Sequence, residues 1–152
     1  MILWFTGNTG SGKTTVAKNA IALIKRPVIL LDGDQMRQTI SLGAGFSKEE
    51  REAHNLRVAR LANLLSEQGH IVFVCLIAPF EDIRTKIQKI CAPVWVYVAK
   101  ILPEDEARPY EMPEAYGLKV DNDAMSEGEA AQEVFGLLTE AISATKIRNS
   151  ND

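Results

Sequence analysis

The chain is poor in the residues that build metal centres and disulfide frameworks: among 152 residues there are two cysteines and two histidines. Cys75 lies within an apolar run and Cys91 ends an amphipathic segment, with neither C-x-x-C spacing nor a nearby histidine, so both read as buried or idle thiols. An excess of positive charge is also missing. Seventeen basic residues against 20 acidic ones leave a formal net charge of -3, which argues against a broad basic face for nucleic acid and leaves any anion binding to local placement. No apolar run is long enough to span a membrane, and the first residues already read as a core strand. Neither a signal peptide nor a membrane segment is therefore expected, and the cytoplasm is the expected compartment. Internal repeats and low-complexity tracts are absent as well. The length suits one domain, residues 1–147, followed by a polar tail, 148–152.

What the chain does contain is a regular alternation of two periodicities. Nearly continuous apolar runs rich in Val and Ile occur at residues 2–5, 28–31, 71–77 and 94–98, as in parallel strands covered on both faces. Residues 118–120 would make a short fifth strand. Between them lie helical patterns at 14–25, at 47–68 behind the capping box Ser47 and Glu50, and at 80–90. A last helix begins at the box Ser126 and Glu129. This order describes a wound α/β sheet of four or five mainly parallel strands with helices on both faces, in which ligands bind at the carboxyl ends of the strands.

The most specific stretch follows the first strand. Residues 7–14 read Gly-Asn-Thr-Gly-Ser-Gly-Lys-Thr, a complete G-x4-G-K-[ST] phosphate-binding loop placed between a strand and a helix. Its glycines let backbone amides turn toward phosphate oxygens, Lys13 reaches the β/γ-phosphates, and the Thr14 hydroxyl can ligate magnesium. The helix that starts near Lys13 adds its positive end. Gly7, Asn8, Thr9, Gly10, Ser11, Gly12, Lys13, Thr14 and Thr15 are thus the candidate ATP-binding residues, within a three-layer fold of the P-loop nucleoside triphosphate hydrolase type.

After the second strand comes Asp32-Gly33-Asp34-Gln35-Met36-Arg37. A carboxylate beside magnesium and the γ-phosphate could take a proton from an attacking hydroxyl, and an arginine one helical turn later could hold an anionic substrate. Asp34 is the candidate base and metal ligand, and Arg37 the candidate cation. The alternative, most open for Asp32, is that these aspartates cap the following helix.

Several motifs then fall in a shared order: the loop, Asp-Gly-Asp-x-x-Arg, Gly45-Phe46-Ser47-Lys48-Glu49-Glu50-Arg51, Gln68-Gly69-His70-Ile71-Val72, Ile77-Ala78-Pro79-Phe80 with Arg84, and Pro109-Tyr110-Glu111-Met112-Pro113. In this the chain resembles the adenylylsulfate (APS) kinases, chiefly over residues 2–90. The resemblance implies transfer of a phosphoryl group from ATP, with Mg2+, to the 3′-hydroxyl of adenylylsulfate. It also implies a homodimer. Asp34 would be the magnesium-side carboxylate and base; Arg37, Phe46 and Arg51 would line the substrate pocket, with Phe46 stacked on adenine. Asp32 joins them as a substrate-side candidate.

Three departures bear on the acceptor. The family pattern Phe-Ser-x-x-Asp-Arg-x-x-Asn has Glu50 for its Asp, and its Asn comes one residue late, a displacement that turns a helical side chain by about 100°. The substrate ligand at that point is either His54 or Asn55, and the alternative for His54 is a helix-packing imidazole. Ala78 replaces a frequent Ser. The third departure follows residue 98, where a longer basic lid is replaced by an acidic connection with Glu104, Asp105 and Glu106, leaving Lys100 and Arg108 as its only local cations. Two other functions therefore stay open: a kinase for a different small hydroxyl compound, or an ATP-binding regulatory module with little transfer.

Overall fold

The structure is a computed structural model that describes residues 1–152. Five parallel strands form one sheet: β1 (Ile2–Thr6), β2 (Val28–Asp32), β3 (Ile71–Cys75), β4 (Val94–Ala99) and β5 (Leu118–Asp121) lie in the order β2-β3-β1-β4-β5. The helices are α1 (Lys13–Leu23), α2 (Gly33–Gln38), α3 (Lys48–Glu67), α4 (Glu81–Cys91) and α5 (Glu127–Asn151).

Strand periodicity divides the core in two. On β1, Leu3 and Phe5 point to one face and Ile2 and Trp4 to the other, because successive strand side chains alternate. Leu3, Phe5, Phe73, Val96 and Val120 pack with Val16, Ala17 and Ala20 of α1 and with Ala130, Val134 and Leu138 of α5. Ile2, Trp4, Val72 and Val74 pack with Val58, Ala59 and Ala62 of α3 and with Ile83 and Ile87 of α4. The indole N–H of buried Trp4 donates to the Leu76 carbonyl at 3.2 Å, so no polar atom of that ring is stranded. No helix is long and apolar enough to cross a membrane.

Both expected capping boxes are formed, Ser47 with Glu50 at α3 and Ser126 with Glu129 at α5. The expected fifth strand is present. Three expectations need correction. The apolar run at 28–31 forms an edge strand with only Leu31 fully buried, because apolar density reports how well a strand is covered and not where it pairs. β3 stops at Cys75, short of the expected residue 77. The tail assigned to 148–152 is helical through Asn151, as an exposed continuation of α5. Both thiols are free, and burial pushes each up to about 12, which keeps them protonated.

Because all strands run the same way, their carboxyl ends share one rim, and the chain leaves that rim at residues 7–12, 33, 76–80, 100 and 122. Phe73, fully buried against Phe5 with ring centroids 5.2 Å apart, anchors the layer beneath it. Phe73→Ala is expected to lower unfolding free energy by about 3–5 kcal/mol, measured as a shifted urea midpoint with an unchanged denaturant slope.

Candidate functional site

The phosphate loop is held from below by close backbone contacts. A Cβ at Gly7 would strike the Val98 carbonyl of β4, so the loop can leave β1 this close to its neighbour only with glycine there. Gly12 has φ 95°, in the left-handed region, and a Cβ there would come within 2.7 Å of the Asn122 side-chain nitrogen. Lys13 Nζ donates to the loop's own carbonyls, Gly7 O at 2.8 Å and Asn8 O at 3.0 Å. Burial lowers its pKa to about 8, against the opposing pull of Cys75 and Asp32. The Ser11 hydroxyl oxygen is buried without a partner. A buried ammonium, an unpartnered hydroxyl and a glycine cradle together fit a bound polyphosphate. Asn8 is half-buried, whereas Thr9, Gly10 and Thr15 are exposed around the mouth of the loop.

The Thr14 hydroxyl donates to Asp32 Oδ1 at 2.7 Å. This changes the expected division of labour between the aspartates. Asp32, expected among the acceptor ligands, lies against the phosphate loop, while Asp34, expected beside Thr14, is exposed on the first turn of α2 with no hydrogen bond. The difference follows from where the strand ends, since Asp32 is the last residue of β2 and Asp34 is already on the helix. No cluster of three or more acidic, His or Cys side chains could hold a metal by itself. One carboxylate and one hydroxyl suit magnesium, which takes its other ligands from phosphates and water.

On the connection between α2 and α3, Phe46 stands 67% exposed with two guanidinium groups close to its ring. Arg37 Cζ lies 4.3 Å from its ring centroid and Arg51 Cζ 5.9 Å. Arg37 also donates to Ala44 O and Gly45 O, at 3.2 and 3.1 Å, and Arg51 Nε donates to Phe46 O at 2.8 Å. Glu50 completes the turn by accepting from Gly45 N and Ser47 N, and its bonds with Ser47 hold its carboxyl below the usual range. Desolvation, then the facing Arg51 charge, lowers Arg37 from its ordinary value. The result is an open aromatic platform flanked by two cations, suited to a planar ring that carries an anion.

His54 and Asn55 lie behind this platform. Each is 3% exposed. His54 Nδ1 meets Ser41 Oγ at 2.7 Å, and Arg57 donates to the same oxygen at 2.7 Å. Burial, with Arg37 and Arg57 nearby, brings the imidazole down to about 4, so it is neutral at neutral pH. Asn55 donates to Arg51 O at 2.8 Å, and its Oδ1 is buried without a partner. Both side chains thus pin the α2–α3 connection and α3 itself. Arg37, Phe46 and Arg51 are brought together as expected.

The connection from 100 to 117 contains neither helix nor strand. Ile101 N donates to Asp123 Oδ2 at 2.7 Å, and Arg51 donates to Ala107 O at 3.1 Å, so the strap runs from the loop side to the platform. Arg108 is paired with Asp105 at 3.7 Å, and Lys100 is exposed without an ion pair. Arg84 is 3% exposed and gives its donors to Ala78 O, Glu111 O and the Glu81 carboxylate, each within 2.9 Å. These bonds tie α4 to the turn after β3 and to the far end of the connection. Asn122, whose Nδ2 donates to Ser11 O at 2.7 Å, had no sequence signal. Its partner lies 111 residues away.

A glycine-rich loop leaving the central strand of a wound parallel sheet, with Lys-Thr opening the next helix, defines a P-loop kinase fold. The chain belongs to the adenylylsulfate kinase family: the family model described as adenylylsulphate kinase matches residues 1–110. An adenylyl-sulfate kinase of Chloroflexus aurantiacus is 41% identical over 90 residues, which are 57% of this chain and 48% of that one. The chain thus matches only about half the length of that relative. A probable adenylyl-sulfate kinase of Pyrococcus abyssi is 35% identical over 88% of this chain and 91% of its own. The Mycobacterium tuberculosis APS kinase CysC, solved in complex with AMPPNP and APS, superposes with TM-score 0.81 at 28% identity, covering 91% of this chain and 96% of that one.

Lys13 sets a pH dependence. A polyphosphate stabilises the ammonium and raises its pKa from about 8, so binding requires the protonated lysine and favours proton uptake. Nucleoside triphosphate affinity is expected to fall as pH rises above about 8, with uptake of up to one proton per site there and none from Lys13 well below it. Calorimetric titration in buffers of different ionisation enthalpy measures that uptake, and Lys13→Ala should remove it.

Proposed function

We propose that this chain transfers the γ-phosphoryl group of ATP to the 3′-hydroxyl of adenylylsulfate. The observation that carries the reading is the grouping of Arg37 and Arg51 at the exposed Phe46 ring, on the same rim as a complete phosphate loop in a chain of this family. The loop amides and Lys13 bind the β/γ-phosphates. Thr14 and Asp32 would hold Mg2+, which would supply positive charge to the transferring group. Phe46 stacks on the acceptor's adenine, and the guanidinium groups of Arg37 and Arg51 hold its anionic end. Asp34, free of hydrogen bonds one helical turn before Arg37, orients the attacking hydroxyl and accepts its proton. Tethering both substrates converts a bimolecular encounter into an oriented one.

A second reading has its own support. The strap carries Glu104, Asp105 and Glu106, and its cations are an unpaired exposed Lys100 and an Arg108 engaged by Asp105. A less anionic hydroxyl acceptor, or nucleotide binding with little transfer, would suit it. Incubation with Mg-ATP and, separately, adenylylsulfate and each of a panel of other hydroxyl compounds, with products resolved by anion exchange and ATP binding measured alongside, separates these readings. The 3′-phosphorylated product is expected. Product from another hydroxyl compound alone would establish the different acceptor, and ATP binding without turnover on any acceptor would establish the regulatory module.

Two variants refine the assignment. Asp34→Ala is expected to reduce kcat by roughly 10²- to 10⁴-fold while ATP-analogue affinity largely survives. Phe46→Ala should raise the KM for adenylylsulfate by about tenfold or more without lowering Tm, since the ring stacks on substrate and buries little of itself. These are measured by steady-state kinetics and thermal unfolding.

A further inference from the structure

The turn that follows β5 reaches across to the phosphate loop. Asn122 is fixed at its own backbone, where its N–H donates to Ala99 O at 2.9 Å. Asp121 ties off the turn by accepting from Asp123 N at its carboxylate, 3.0 Å, and from Met125 N at its carbonyl, 2.8 Å. From this base the Asn122 amide donates to Ser11 O at 2.7 Å. In a trans peptide the carbonyl and the following N–H point in opposite directions. Holding the Ser11 carbonyl toward Asn122 therefore turns the Gly12 N–H the other way, into the loop. No protein acceptor meets that N–H. Gly12 completes the fit, since a Cβ there would displace the Asn122 nitrogen.

We propose that Asn122 is a positioning residue for nucleotide binding: its side-chain amide sets the Ser11–Gly12 peptide so that the Gly12 N–H is aimed at phosphate. It acts through the loop and touches no reacting atom. The neighbouring Asp123 holds Ile101 N, so the same turn also anchors the start of the strap, and nucleotide-side geometry is set from β5. Two other structures at the rim do different work. Arg84 and Tyr110 brace the turn after β3 and the far end of the strap, and Glu50 shapes the platform on the acceptor side.

This inference rests on the loop's binding a nucleoside triphosphate. The test is calorimetric binding of a non-hydrolysable ATP analogue to wild type, Asn122→Ala, Asn122→Asp, Asn122→Ser and Lys13→Ala, beside acceptor KM and Tm. Asn122→Ala should weaken analogue binding about tenfold, consistent with loss of one buried hydrogen bond, with little change in acceptor KM or Tm. Asn122→Asp, of the same size but with no donor, should lose at least as much. Asn122→Ser keeps a donor on a shorter arm and should fall between. Wild-type analogue affinity in both Asn122→Ala and Asn122→Asp would overturn the proposal, and so would equal losses for analogue and acceptor alongside a lowered Tm. If Lys13→Ala abolishes binding while Asn122→Ala and Asn122→Asp bind as wild type does, only the Asn122 role fails. If Lys13→Ala also binds normally, the nucleotide reading itself fails, and this inference with it.

Discussion

The hydroxyl of Thr6 sits where the fully buried central strand becomes the phosphate loop, and three segments of the rim meet on it. It donates its one proton to Ile77 O at 2.6 Å, which leaves Tyr110 as the donor in the 2.9 Å contact between the two hydroxyls. Water has no access to Thr6, so these bonds are not exchanged for solvent. Desolvation accordingly raises Tyr110 to about 12 and keeps it a donor. Through this one atom the start of the loop, the turn after β3 and the end of the strap keep a common geometry. Everything proposed for catalysis depends on that registration.

Arginine takes two roles in this rim, and burial separates them. Arg84 is enclosed, faces Tyr110, and has its donors committed to two carbonyls and a carboxylate. Such a saturated guanidinium stiffens its surroundings and has little left for a ligand. Arg37 and Arg51 also hold backbone carbonyls, but they flank an exposed ring and keep further donors in reach of solvent. A guanidinium has five donors, so fixing one edge on the backbone presents the remainder in a set direction. The capping box of α3 contributes to the same end, because Glu50 holds the turn that places Phe46 near them.

Local chemistry made much of this legible in advance. The loop residues 7–14, both capping boxes and the succession of elements follow from spacing and residue type, since each is specified within a few neighbouring residues. Phe46 and Arg51 could be paired because they are close in sequence and linked by a helix start. His54 shows where that ended. It stands at the family's Asn position, which suggested a substrate ligand beside a helix-packing alternative, and in the structure its ring turns inward to Ser41. Sequence proximity gives no sign of that direction until α3 is docked on the sheet.

By itself, then, the sequence determined a phosphate loop between a strand and a helix, a wound parallel sheet, and a rim rich in carboxylates and arginines. These depend on backbone preference and short-range periodicity. Tertiary structure alone decided that Asp32 and not Asp34 meets Thr14, that the second strand lies at an edge, and that His54, Asn55 and Arg84 are buried. It alone brought Asn122 beneath Ser11. Strands distant in the chain become neighbours in the sheet: the pairing of β2 with β3 and of β3 with β1 brings Asp32 to Thr14, and that of β1 with β4 and of β4 with β5 brings Asn122 to Ser11.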